Sequence, residues 1–287
     1  MNTVESKPQI DAAAIADRFV TARLDATRLR EFPNALPANL EAAYAVQAAA
    51  ITRWPDTVAG WKVAMLGPGW SERLGEERLV GPVFRHAVRV ASGDRVVEFP
   101  AFDGGFAAVE AEFIFRLSKN ASPAKTRWTA EEAAALVGSL HVGVETAGSP
   151  LLSINDLGPL AIVSDFGNNS GVIVGALVSD WKARPLKSIT AETFIEGVSV
   201  GRGSAASVPG DPLAALAFAL ARCARLGRPL KAGDFISTGA TTGVHQIHEG
   251  QSARLSFGEF GDIHCRAVRA TRIDGAARAG DQKASPS

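Results

Sequence analysis

The segment VEAEFIF, residues 109–115, alternates carboxylates with apolar side chains. In a strand, successive side chains point to opposite faces. Glu110 and Glu112 then share one face, about 6.5–7 Å apart along it, while Val109, Ala111, Phe113 and Phe115 share the other. A bare pair of this kind is most simply the wet face of a strand. The apolar run around it reads instead as interior. Two carboxylates that close in a low-dielectric setting repel, which either raises a carboxyl pKa or calls for a cation. A third acid, Glu145, stands in a second apolar strand, SLHVGVETAG (139–148). Three carboxylates form an all-oxygen ligand set, suited to Mg²⁺ or Mn²⁺ and not to zinc, which prefers nitrogen and sulfur.

Strand signals continue on both sides. GWKVAM (60–65), RVVEF (95–99) and GVIVG (171–175) are β-branched or aromatic runs bounded by Gly, Pro, Asn and Asp. From Gly60 to about Val200 strands dominate, interrupted by one helix that the capping box Thr129-Ala-Glu-Glu132 opens. Upstream, residues 10–54 carry helical spacing: Ala13, Ile15, Phe19 and Leu24, then Leu40, Tyr44, Val46, Gln47 and Ile51. Pro33 and Pro37 separate the two helices, and Asn39 is placed to cap the second. A further helix over Leu213–Leu226 stops at Gly227 and Pro229. Short strands follow in DFIST, SARLSF and DIHCRAVR. The expected organisation is an N-terminal helical lobe (1–58), a β-rich domain (59–272) and a disordered tail (273–287) that is nearly free of apolar residues.

Composition narrows the function classes. The 287 residues are 46% hydrophobic and 21% charged, enough for one large domain or two small ones. Thirty Lys+Arg cancel thirty Asp+Glu, so the basic footprint that nucleic acid or an anionic membrane surface requires is missing. The longest apolar run, Pro212–Leu220, is far short of the ~20 residues of a spanning helix. Glu5, Lys7 and Asp11 stand where a signal peptide has its apolar segment. Cys223 and Cys265 are too few for a disulfide framework or a four-cysteine zinc site, and a cytoplasmic location is expected. The pairs His141/Glu145 and His245/His248 offer a rival nitrogen-bearing set, weakened because neither pair falls on a helix.

Two features stay open on the residues alone. Lys62 interrupts the apolar strand Trp61–Met65; it points to solvent, or it is buried and paired. SDFGNNSG (164–171) reads as a hairpin turn between two apolar strands, or as a polar lip that lends N–H groups and an Asn to a ligand. Its length and spacing exclude a phosphate loop.

Taken in order, these stretches resemble a known family. AYAVQ (43–47), GWKVAM, GPVF (81–84), VEAEFIF, HVGVET, SDFGNNSG and GVIVG are followed by GDPLAALAFALA, LKAGDFISTGA and EGQSARLSFGEFGDI. Over roughly residues 10–272 the chain resembles the 2-keto-4-pentenoate hydratase group of the fumarylacetoacetate hydrolase superfamily. The resemblance implies an α+β fold, with a distorted β-barrel or roll holding the site and helices around it. It implies Mg²⁺ or Mn²⁺ on Glu110, Glu112 and Glu145. Lys62 matches the lysine of the family's GWK motif, and if buried beside the ion it is expected to have a lowered pKa. Substrate contacts are expected from Asp165, Asn168, Asn169 and Thr238. The implied protein is a cytoplasmic homo-oligomer that adds water to a small 2-hydroxy-dienoate or 2-oxo-enoate acid in aromatic-compound catabolism. Loss of CO₂ or hydrolysis of a carbon–carbon bond are alternatives on the same metal platform. A non-catalytic partner subunit is the reading from a different class.

The departures from the family pattern all concern groups that face substrate. Arg85-His86 stands where an acid is common, which makes His86 a candidate catalytic residue. Gly148-Ser149-Pro150 stands where an arginine often follows the third acid, and Asn168 and Asn169 are displaced along the chain. The lysine that the carbon–carbon hydrolases carry about twenty positions after that acid has no counterpart here.

Overall fold

The computed structural model describes residues 10–274. The tail expected over 273–287 lies, but for its first two residues, outside them. The chain runs α1 (Ala12–Leu24), α2 (Leu40–Arg53), β1 (Val58–Met65), α3 (Pro68–Leu74), β2 (Arg78–Phe84), β3 (Val88–Val90), β4 (Val97–Ala101) and β5 (Phe106–Leu117). It continues with α4 (Ala130–Ala134), β6 (Val137–Ser149), α5 (Pro159–Ser164), β7 (Asn169–Leu177), β8 (Thr190–Ile195) and β9 (Val198–Ser204). Last come α6 (Asp211–Arg225), β10 (Phe235–Ser237), β11 (His245–Gln246), β12 (Ser252–Ser256) and β13 (Asp262–Arg269). The larger sheet has the order β2-β1-β10-β5-β6-β7-β3, with β11 also paired to β5; the smaller is β4-β13-β12-β8-β9. The larger sheet curls into a half-barrel, so that β2 touches β7. The result is the expected α+β barrel-like fold with helices around it.

Register explains why the acids meet. β5 and β6 are antiparallel with Glu110 directly opposite Glu145 and Glu112 opposite Gly143. Along the same face, Ser237 of β10 stands between Ile114 of β5 and Lys62 of β1. Four adjacent strands thus send Lys62, Ser237, the glutamate pair and Glu145 to one side. A small apolar cluster, Val83, Ile114, Val172 and Val174, is separate from the main core. The opposite face of β5, with Ala111, Phe113 and Phe115, joins the main core. That core is continuous from Ile15 and Phe19 of α1 through Leu216 of α6 to Cys265 of β13.

Local signals placed several elements well. Asn39 caps α2 by accepting from the Ala42 N–H at 2.9 Å, and the Thr129/Glu132 capping box is formed. The helix it opens is only five residues long. Two further helices, α3 and α5, lie in the zone where a single one was expected. SDFGNNSG therefore joins a helix to a strand, not two strands. Pro159 at the first position of α5 presets its dihedral, and Gly158 before it has φ 85°. Six residues are too few for apolar spacing to separate helix from strand. Among the described residues no helix is long and apolar enough to cross a membrane.

The AYAVQ stretch has a mechanical role. β2 is an edge strand, and the backbone of Val80 is buried. Its N–H donates to the Tyr44 hydroxyl (3.0 Å), and its carbonyl accepts from Gln47 Nε2 (3.1 Å). Gln47 Nε2 also reaches the Val163 carbonyl at 2.9 Å, tying α5 to the same helix. Tyr44→Phe removes the acceptor and leaves a buried N–H without a partner, which costs ~1–3 kcal/mol. Urea denaturation should show that loss with an unchanged m-value; an unchanged midpoint would mean that the edge is satisfied in another way.

Candidate metal centre

Glu110, Glu112 and Glu145 are 6%, 0% and 0% exposed, and one carboxylate oxygen of each lies within 4.8 Å of the others. Two of them share a pattern. Glu112 Oε2 accepts from Ser237 Oγ (2.5 Å) and the Gly239 N–H (2.9 Å), whereas its Oε1 is buried with no hydrogen-bond partner. Glu145 Oε1 lies 3.2 Å from Lys62 Nζ and accepts from Asn169 Nδ2 (3.0 Å), whereas its Oε2 is buried and unpartnered. Leaving a charged oxygen buried without a donor is costly. In Glu112 and Glu145 one oxygen is thus fixed by the protein and the other is left open. Fully ionised, the three carboxylates would outnumber the single Lys62 ammonium and leave a surplus of negative charge. Hard oxygen donors with that surplus fit a divalent ion of the Mg²⁺ or Mn²⁺ type.

Titration follows from the crowding. Burial first, then the Glu145 charge, push the Glu110 carboxyl up to about 8, with Lys62 opposing. Burial, Glu145 and Glu110 raise Glu112 well above the usual carboxylate range. Lys62 reverses the sequence expectation. Burial alone works to lower its ammonium, but Glu145, Glu110 and Glu112 together outweigh that, and the shift is upward. The surplus of acids within reach is the reason. For Glu110 the sign of the stability effect is fixed: the fold favours the protonated form, so its contribution is full below the ordinary 4.5 and is lost as pH rises toward about 8. In EDTA, the melting temperature of the wild type should fall over that window more steeply than that of Glu110→Gln, which cannot ionise. Parallel curves would contradict the crowding.

No family model matches the chain. Among solved structures it is similar to 4-oxalocrotonate decarboxylase from Pseudomonas putida G7, complexed with magnesium and adipate. There the identity is 18%, 92% of this chain and 100% of that chain are covered, and the TM-score is 0.75. It is also similar to fumarylpyruvate hydrolase from Pseudomonas aeruginosa in complex with Mn²⁺ and pyruvate, at 16% identity over 73% and 88% of the two chains, TM-score 0.51. A yeast fumarylacetoacetate hydrolase family protein matches at 14% identity over 74% and 93%, TM-score 0.50. The fold is that of the fumarylacetoacetate hydrolase superfamily.

Within the superfamily fold, this chain brings Lys62, the three glutamates and Asn169 together. It places the other sequence-derived candidates differently. Asp165 is fully buried, with Oδ1 on Arg23 Nε (2.5 Å) and Oδ2 accepting from Ser149 Oγ (2.6 Å), so both oxygens are engaged. Asn168 donates its amide to Asn155 Oδ1 at 3.2 Å. The Thr238 hydroxyl donates to the Phe113 carbonyl at 2.8 Å, while its neighbours Ser237 and Gly239 reach Glu112. His86 Nδ1 and N–H both bind the Asp56 carboxylate, each at 2.9 Å, and the ring is 39% exposed. The histidine pairs serve the sheet: His141 contacts Ser139 and the Gly175 carbonyl, and His245 contacts Thr242.

Arg23 is the residue that sequence reasoning missed. From the last turn of α1 it grips Asp165 and donates to the carbonyls of Gly148 (2.7 Å) and Asn169 (3.2 Å). It thereby fixes the end of β6 and the start of β7, from which Asn169 holds Glu145. A glycine seam presses the intervening turn onto Lys62. A Cβ on Gly81 would fall 2.2 Å from the Phe166 carbonyl oxygen, and one on Gly167 (φ 69°) would fall 2.8 Å from Gly81 Cα and 3.5 Å from Lys62 Cε. Arg23→Met strands the Asp165 charge in the interior and should cost ~3–5 kcal/mol in chemical denaturation. A loss below ~1 kcal/mol would show that Asp165 is not held as an ion pair.

Proposed function

We propose that the chain is a divalent-metal-dependent enzyme that adds water to a small 2-hydroxy-dienoate or 2-oxo-enoate acid in aromatic-compound catabolism. The observation that carries this reading is a cluster of three buried glutamates, one carboxylate oxygen of each within 4.8 Å of the others, in which Glu112 Oε1 and Glu145 Oε2 have no hydrogen-bond partner and Lys62 is buried alongside. Glu110, Glu112 and Glu145 would hold the ion. When bound, Mg²⁺ or Mn²⁺ supplies a Lewis acid that offsets negative charge developing on a 2-oxo acid. Two structural neighbours support the pairing of ion and acid, since one is complexed with magnesium and adipate and the other with Mn²⁺ and pyruvate.

The remaining work falls to the chain's own groups. Ser237, the Gly239 N–H and Asn169 hold one oxygen of each of two acids, which orients the other for ligation. Lys62 Nζ, 3.2 Å from Glu145 Oε1, is held as an ammonium by the acids. It can hold a substrate carboxylate or pass a proton to the carbon chain, and its burial keeps bulk water from competing. The same resemblance supports a cytoplasmic homo-oligomer with a helical lobe over 1–58 and a catalytic domain over 59–272. A second reading, decarboxylation, is favoured by one observation: the likeness to 4-oxalocrotonate decarboxylase spans the whole of that chain.

Incubation of a 2-hydroxydienoate with enzyme and Mg²⁺ should give a product heavier by one water; no hydration there, with loss of CO₂ from a 2-oxo-enedioate whose second carboxylate is conjugated to the 2-oxo group, would select the second reading. No Mg²⁺-dependent turnover of any 2-oxo acid would reject both. Glu112→Gln preserves shape and removes a charge, so calorimetric Mg²⁺ affinity should fall at least tenfold with an unchanged circular dichroism spectrum. Lys62→Met should retain metal binding and lose ~10²–10⁴-fold in turnover. An active Lys62→Met enzyme would make that lysine structural.

A further inference from the structure

Asn169, whose amide holds Glu145, also lines a cavity of about 300 Å³ that no step above uses. One wall is aromatic. Trp54, Phe84 and Phe166 form a mutually packed trio with ring centroids 4.9–5.6 Å apart, and Phe99 and Phe102 extend it. Another wall is Arg89. Its side chain is half-buried, and among the described residues its one hydrogen bond, at 3.2 Å, goes from Nη1 to the Ala87 carbonyl two residues back. Among the described residues no carboxylate lies within ion-pair distance of it. A glycine makes the bed for this side chain: a Cβ on Gly171 (φ 141°) would fall 2.9 Å from Arg89 Nη1 and 2.5 Å from the Ala87 oxygen.

The other charges around the cavity are accounted for. Arg23 is matched by Asp165, Arg269 by Glu249 and Asp103, and His86 with Asp56 by each other. Glu98 is exposed and forms no ion pair among the described residues. Arg89 therefore keeps Nε and Nη2 without a partner among the described residues, beside a ring-lined space. Those two donors form a fork that matches a carboxylate in two-pronged geometry, and a half-buried cation without a counter-ion gains from an anion. The volume is at the small end of ligand pockets.

We propose that this cavity is a binding site for a small organic anion with a flat apolar body, an aromatic or conjugated carboxylate, whose carboxylate sits on Arg89 and whose ring packs against Trp54, Phe84 and Phe166. The site is distinct from the three glutamates and needs no metal. Calorimetry in EDTA with benzoate as probe, and benzamide as its uncharged counterpart, tests this. Benzoate should bind the wild type and Glu112→Gln alike, benzamide should bind at least tenfold more weakly, and Arg89→Met should weaken benzoate at least tenfold. Arg89→Lys, which keeps the charge without the fork, should give an intermediate loss and serves if the methionine variant does not fold. Three results would overturn the proposal: no saturable benzoate binding, equal affinity in wild type and the Arg89 variants, or binding that requires Mg²⁺ and vanishes in Glu112→Gln. The last would put the anion on the acidic centre.

Discussion

Three carboxylates share one face of a curled sheet, with their ligating atoms within 4.8 Å of one another, against a single lysine. Like charges at that distance inside a protein are a standing destabilisation. The surrounding structure shows how it is tolerated. One oxygen of Glu112 and one of Glu145 are held by donors, the carboxyls of Glu110 and Glu112 are pushed toward the protonated form, and Lys62 is held as a cation. What is left over is geometry aimed at a cation. Stability has been given up at one place where the arrangement serves chemistry, a recurrent property of functional sites.

Much of the fold reads as support for that arrangement. The direct opposition of Glu110 and Glu145 depends on the register of β5 and β6. Asn169 depends on the start of β7, which α1 pins through Arg23 and Asp165. Lys62 depends on β2 lying beside β1, and β2 depends on Tyr44 and Gln47 of α2. The two N-terminal helices thus reach the acidic centre from outside the sheet, each through buried polar contacts at a backbone edge. This accounts for a stretch such as AYAVQ keeping polar residues on a helix that is otherwise alanine-rich.

The parts legible in the sequence were those that a short window specifies. The i, i+2 spacing put Glu110 and Glu112 on one face, the apolar strand around Glu145 marked it as interior, and Asn39 and the Thr129 capping box marked helix starts that the structure contains. What could not be read was set by partners distant in the chain. Arg23 and Asp165 are 142 positions apart, and nothing local distinguishes that arginine from Arg18 or Arg28. Asp165 and Asn169 looked equivalent as polar members of one turn, yet one is consumed by Arg23 and only the other reaches Glu145. Ser237, which reaches Glu112 from the end of β10, is picked out only once the register to β5 is known. The helix α5 was hidden because it is six residues long and its first five are apolar, which leaves no alternation to read.

The central claim is that the acidic cluster is a metal site, and crystals soaked in Mn²⁺ test it most directly. Anomalous scattering should show one strong peak among Glu110, Glu112 and Glu145, at about 2.0–2.2 Å from an oxygen of each, with Glu112 Oε1 and Glu145 Oε2 as ligands. No peak there at saturating Mn²⁺, or a peak that leaves those two oxygens unbound, would contradict the account.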